Sequence, residues 1–324
     1  METLGVILAP DGNNGKMITN LRQKAQSWGE LITSGHISKQ HAFIALQTTI
    51  CKSLQYPLPA LTLKESECTY IMAPAITQGL SASGISKTFP RVVVYGPKSL
   101  GGLGVTSLYT HQGASRICKI VEHIGTSTMT GELIRTTIEA IKLEIGTGKD
   151  IFRESYKLYN TLVTDSWIKE TWRNIREWNV CFKDQTTSNL NTQRDNDCFL
   201  MLKIAQQGYS PRDMKKINMC RIHLKAVTLS DICCGNGTHI TDNALQCIQD
   251  PYHITPYTWP TQPRPGHTTR SMWRKALKTC FIQQNRRMIS SIGTWKYACP
   301  NKWIWHYSPG NQILYKRCGY RTEL

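Results

Sequence analysis

The apolar positions of this chain change period several times, and each change marks an element. Leu4, Val6 and Leu8 alternate, and Pro10-Asp11-Gly12 closes the run with turn residues, which predicts a strand over residues 4–8. Ile18, Leu21, Ala25, Trp28 and Ile32 then recur every three or four positions, one face of an amphipathic helix ended by Gly35. Ser38 is placed to cap a second helix bearing Phe43, Leu46, Ile50 and Leu54, which Pro57 and Pro59 stop. Thr62 and Glu65 have capping-box spacing ahead of a third stripe, Cys68, Ile71, Met72, Ala75 and Ile76, with a kink expected at Pro74. The β-branched run Phe89–Tyr95 reads as a short strand.

A glycine-rich stretch from Gly96 to Leu108 follows. Gly101, Gly102 and Gly104 remove Cβ atoms from the backbone there, so another segment can approach closely, and Lys98 sets a positive charge beside it. Beyond it the pattern predicts helices over residues 108–123, 131–145 and 165–178, with Thr130 and Thr164 as caps. A Gln, Thr, Ser and Asn-rich stretch without apolar periodicity reads as a linker. Asp197 is placed to cap a helix over 199–207, and Ser210-Pro211 opens another to residue 224, made basic by Lys215, Lys216, Arg221 and Lys225. Residues 302–317 form a β-hairpin pattern around Ser308-Pro309-Gly310-Asn311. The fold expected is mainly α. Its parts are a strand remnant over 1–12, a three-helix bundle over 13–95, a glycine-loop and helical connector over 96–182, a linker over 183–195, and a basic, aromatic C-terminal domain over 196–324.

Charge narrows the function. The 324 residues carry 39 Lys and Arg against 22 Asp and Glu, a net charge of +17, and an excess of that size points to a polyanionic partner, RNA or DNA before a membrane surface. No apolar run nears the roughly 20 residues of a membrane-spanning helix, and the N-terminal run is too short for a secretion signal. The 12 cysteines are therefore expected as thiols in a reducing, intracellular setting. Between Arg264 and Leu324 lie twelve basic residues and one acidic, Glu323, interleaved with Trp and Tyr. Cations alternating with aromatic faces suit phosphates and unstacked bases. The candidate contacts are Lys16, Arg22 and Lys24 on the first helix, Lys98 with Gly101, Gly102 and Gly104, then Arg270, Arg274, Lys275, Arg286 and Arg287, with Trp303, Trp305 and Tyr307 as aromatic candidates. Cys220, His223, Cys233, Cys234, His239 and Cys247 contain ligand types for zinc, but their spacing fits no zinc motif, and buried thiols are the default. No paired carboxylates and no nucleophile context are present.

Taken in order, four stretches resemble the carboxy-terminal part, thumb and downstream region, of a reverse transcriptase of the non-LTR retrotransposon type, closest to the diatom and protist group. Leu4-Gly5-Val6 with Asp11-Gly12 is similar to the last strand of the polymerase palm. Residues 13 to about 80, with Tyr56-Pro57-Leu58-Pro59-Ala60-Leu61, resemble the helical thumb. Gly101-Gly102-Leu103-Gly104-Val105 resembles the loop just past that thumb. Pro256-Tyr257-Thr258-Trp259-Pro260 with Arg264-Pro265, and the hairpin at Trp303, resemble the tail of the protist group. The resemblance implies binding of template–primer duplex by its backbone. It also implies that fingers, palm and the Tyr-x-Asp-Asp aspartates that hold Mg²⁺ precede this sequence, so that the chain has no cofactor of its own and is inactive alone. Two other readings are a remnant of a decayed element and a zinc-dependent nucleic-acid-binding module.

Overall fold

The computed structural model describes residues 5–7, 12–182, 190–249, 259–294 and 296, and the backbone alone of 2–3, 303–308, 313–318 and 321–323. It is mainly helical, and it divides into two compact units, Met1–Glu132 and Leu133–Leu324.

The first unit opens with two short antiparallel strands, β1 (Glu2–Thr3) and β2 (Val6–Ile7). The single strand predicted over 4–8 does not form, because the chain reverses at Gly5, whose φ of 75° suits glycine alone; Leu4 and Leu8 lie outside the described residues. Helix α1 (Gly15–Ser34) buries Met17, Leu21 and Ala25, and Gly35 ends it by donating its N–H to the Leu31 carbonyl. Helix α2 (Lys39–Ala45) starts where Ser38 Oγ accepts the His41 N–H at 3.2 Å. It passes into one π-helical turn, Leu46–Ile50, and then into α3 (Cys51–Gln55). The buried residues along this composite helix are Ala42, Leu46, Ile50, Cys51 and Leu54. The π turn lets Ile50, Cys51 and Leu54, four, five and eight residues past Leu46, share one apolar face, whereas an unbroken α-helix would turn Cys51 by about 140° from Leu46.

Helix α4 (Glu65–Ala82) continues through Pro74 and packs against α1, burying Cys68, Ile71, Met72, Ala75 and Ile76 in a core shared with α1, α3 and the π turn. Its capping box sits two residues later than predicted: the Lys64 N–H donates to Glu67 Oε2 at 2.7 Å. Thr62 is instead engaged by Asn14 Nδ2 at 3.2 Å, across the bundle.

The strand predicted over Phe89–Tyr95 is a helix, α5 (Arg91–Tyr95), started at Pro90. Its carbonyls serve the glycine stretch. Leu103 N–H donates to Val93 O, Val105 N–H to Val94 O and Gly104 N–H to Gly96 O, at 2.9–3.1 Å. The close approach that the glycines permit is therefore internal. A Cβ on Gly102 would stand 2.2 Å from the Gly96 carbonyl oxygen. Gly102→Ala is expected to destabilise the protein by about 2 kcal/mol or more, since backbone must move. Gly125→Ala, in open space, is the neutral control in urea denaturation. Helix α6 (Leu108–His123) keeps its predicted bounds, and its buried Gln112 holds both the N–H and the carbonyl of Leu63 through its amide, at 3.0 and 2.9 Å.

The second unit contains most of α7 (Met129–Ile145), then α8 (Tyr156–Tyr159) and α9 (Trp167–Glu177). Ser166, not Thr164, caps α9, and Thr164 binds the Glu144 carboxylate instead. At the start of α7 the Gly131 N–H donates to Thr128 Oγ1, where Thr130 was expected as cap. Trp172 is fully buried and donates its Nε1–H to the Glu154 carbonyl at 3.2 Å. The stretch read as a linker lies outside the described residues over 183–189. After it, Leu190 packs with Leu143 and Val227, and the nearly buried Arg194 donates to the Gly293 carbonyl.

Helix α10 (Leu200–Ala205) is not capped by Asp197, whose carboxylate accepts the N–H groups of Gln193 and Cys198 in its own segment and of Ser230, and so ties that segment to the turn at Leu229–Asp231. Helix α11 (Pro211–His223), capped by Ser210, packs against α13 (His267–Phe281), and α12 (Asp242–Gln246) lies against α13. A hairpin of β3 (Ile282–Gln284) and β4 (Arg287–Met288) follows α13. Near the C-terminus, β5 (Trp303–Ser308) pairs antiparallel with β6 (Ile313–Cys318), which pairs with β7 (Arg321–Glu323). The hairpin predicted at 302–317 is thus present; its turn, residues 309–312, lies outside the described residues.

Candidate nucleic-acid interface

Helix α13 carries the densest part of the charge. Between residues 259 and 296 the sequence holds eight Lys and Arg and no Asp or Glu. One face of α13, with Trp273, Ala276, Leu277, Cys280 and Phe281, is buried, and the Trp273 indole N–H is satisfied by the Ala244 carbonyl at 2.8 Å. Helical spacing therefore turns Arg274, Lys275 and Lys278 away from that core. Lys275 and Lys278 are exposed, and Arg274 is half-buried.

None of these three makes an ion pair with a described residue, and neither does the exposed Arg287 on β4. By contrast, Arg286 Nη1 meets Asp242 Oδ2 at 2.5 Å, Arg264 donates to the Gln246 carbonyl, and Lys296 donates to Thr192. Arg270, Arg274 and Lys278 stand four residues apart, so they repel along one helix face, a few tenths of a kcal/mol per pair. An anion laid along that face would reverse the sign of this term.

The β3–β4 turn adds to the surface. Asn285 and Arg286 have φ of 47° and 67°, the two left-handed residues of a tight hairpin, and they set Arg287 beside the end of α13. Asn-Arg is an uncommon pair for such a turn, which hid the hairpin in the sequence.

The other candidates are placed differently. On α1, Lys16 and Lys24 are exposed, but Arg22 is held by α4, donating to the Tyr70 carbonyl and lying 4.3 Å over the Tyr70 ring. Lys98 is exposed, and its aliphatic stem covers Gly104. Gly101 and Gly104 hold φ of 80° and 68°, and Gly102 packs on Gly96, so all three have a structural reason. Trp303, Trp305 and Tyr307 lie on β5, in register with Cys318, Lys316 and Leu314 of β6; their side chains are outside the described residues.

The zinc candidates fall into two groups. Cys220 and Cys247 meet between α11 and α12. Cys247 Sγ donates to the Cys220 carbonyl at 3.8 Å; the neighbouring Cys247 thiol and burial raise the Cys220 pKa, and the Cys220 thiol lowers that of Cys247. Cys233, Cys234 and His239 lie on the turn around Gly237. Burial pushes the Cys233 thiol up to about 12, and Cys234 Sγ is engaged by the His239 carbonyl at 3.0 Å. His223 donates from its ring to the Gln262 carbonyl. Among the described residues no three His, Cys, Asp or Glu side chains converge to hold a metal ion. All ten described cysteines are free thiols.

Arg221, expected on a basic surface, is wholly buried. It donates to the carbonyls of Leu143, Glu144 and Ala226 and to Asn218 Oδ1, at 2.6–2.9 Å. It caps the end of α7, where unpaired carbonyls and the helix dipole favour a cation. Burial pushes its pKa down to about 9, with Asp231 and Glu144 opposing the shift.

No helix among the described residues is long and apolar enough to cross a membrane. No protein-family model matches the chain, and neither a curated protein nor a solved structure matches it.

Proposed function

We propose that this chain binds RNA, DNA or their hybrid through the sugar–phosphate backbone, with little dependence on sequence. It would act as the nucleic-acid-handling portion of an RNA-directed DNA polymerase of the non-LTR retrotransposon kind. The observation that carries the reading is the acid-free run over 259–296, in which Arg274, Lys275, Lys278 and Arg287 have no ion-pair partner among the described residues. Lys16 and Lys24 on α1 supply a second exposed cationic position. The order of segments that resembles such an enzyme supports the same reading. Nucleotide joining is not assigned to these residues, since the chain holds no adjacent aspartate pair.

A gel-shift titration with an RNA–DNA hybrid tests this at two salt concentrations. Four phosphate contacts predict a slope of log affinity on log salt near −3. Binding should therefore weaken by about a hundredfold between 50 and 200 mM salt. Equal affinity at both salts, or no shift at the lower one, defeats the proposal.

A further inference from the structure

On the flank of α11 away from α13 lies a cavity of about 190 Å³. The two flanks are distinct, since Cys220 of α11 reaches the Thr269 carbonyl of α13, whereas Lys215, Met219 and Ile222 line the cavity. The cavity is smaller than the ~300 Å³ at which pockets for drug-sized ligands begin, and it matches one ring system rather than a peptide segment.

Met219, Ile222 and Pro260 give it apolar walls, and Thr161, Gln262 and Lys215 bring polar side chains to it. The Thr161 hydroxyl, the Gln262 amide and the Lys215 ammonium have no hydrogen-bond or ion-pair partner among the described residues. Two further lining groups are already committed. Glu144 accepts the N–H and hydroxyl of Thr164 with its two carboxylate oxygens, at 3.1 and 2.6 Å, and Asn218 bridges the Glu144 carbonyl and Arg221. Lys215 is the lining cation and Glu144, its oxygens taken up by Thr164, the lining anion, beside one hydroxyl and one amide able both to donate and to accept.

We infer that this cavity receives a single unstacked nucleobase, with the phosphate next to it on Lys215. The apolar walls take the face of the ring, and Thr161 and Gln262 meet its edge, where any base presents donors and acceptors. The inference rests on the nucleic-acid reading above and adds a site for the base to one for the backbone. The same chemistry belongs to a free mononucleotide, so the test separates a strand from its monomer.

The full chain is titrated with a short single-stranded DNA carrying 2-aminopurine, whose fluorescence rises when the base leaves the stack. Anisotropy of a dye-labelled strand reads total binding in parallel. Wild type should show both signals. Met219→Trp, which fills the cavity from a half-buried position, should abolish the fluorescence rise while anisotropy changes by less than about tenfold, the loss of one base contact. Lys215→Glu, at an exposed position of α11, should reduce the rise in the same direction, with a urea midpoint close to wild type. Adenosine 5′-monophosphate, titrated calorimetrically, should bind far more weakly than the strand. Anisotropy without a fluorescence rise, or a rise that survives Met219→Trp, overturns the inference and leaves backbone binding standing. Tight, Met219-dependent binding of the mononucleotide with no strand signal overturns the strand in favour of the monomer. No binding of either ligand overturns both readings.

Discussion

Replacing Arg274, Lys275 and Lys278 together by glutamate should remove detectable binding to an RNA–DNA hybrid at physiological salt, without unfolding the protein. The three side chains stand off the buried face of α13, and none holds a described carboxylate, so no internal partner is lost. The pair at 270 and 274 changes from repulsive to attractive, which compensates part of any helix penalty, while 274 and 278 stay like-charged. The alanine version is the quantitative one. Each phosphate contact contributes roughly 0.7–0.9 to the slope of log affinity on log salt. Three deletions should therefore flatten that slope by about two, with a thermal midpoint close to wild type. Unchanged affinity in the glutamate variant would place the interface elsewhere. Replacing Arg22 serves as the contrast: its guanidinium lies on Tyr70, so its loss should act on stability before binding.

The largest effect on stability is expected at Arg221. Truncation to alanine leaves the carbonyls of Leu143, Glu144 and Ala226 without this donor in a site closed to water. Breaking a buried charged network of this kind costs about 3–5 kcal/mol, a large share of the 5–15 kcal/mol that holds a typical domain folded. Lysine should not rescue it, because one ammonium cannot reproduce the planar fork that reaches α7 and the Ala226 carbonyl at once. Urea midpoints for Arg221→Ala, Arg221→Lys and Asn218→Ala rank the network; a loss under about 1 kcal/mol at Arg221 would refute it.

The sequence and the structure agree where local chemistry and tertiary packing point the same way. The stripe of α1, the caps at Ser38 and Ser210, the bounds of α6 and the β5–β6 pairing could all be read from spacing and turn residues. They part where packing decides. Val92-Val93-Val94 carries strand propensity, yet Pro90 starts a helical turn whose carbonyls are claimed by Leu103 and Val105. A propensity measured on pleated surfaces carries little weight in so short a run. Asp197 has the form of a cap, but three backbone N–H groups, two in its own segment and one from Ser230, take its carboxylate instead of the helix start.

At the candidate interface the excess of charge was visible, and its distribution was not. Composition could not separate Arg221, drawn inward by the carbonyls of α7, from Lys275, which faces solvent. Nor could it show that the glycines at 101–104 serve their own chain, since the partner of Gly102 is a peptide six residues back.

The single widened turn at Leu46–Ile50 has a genetic corollary. Such a turn accommodates one surplus residue, so excising Thr48 or Thr49, both at the surface, should leave a regular α-helix with its apolar side chains at the ideal three, four and seven steps from Leu46. A codon deletion there should be tolerated, whereas the same deletion in the middle of α4 would rotate every later side chain by about 100° and scramble the core. A deletion scan read by soluble yield distinguishes the two sites.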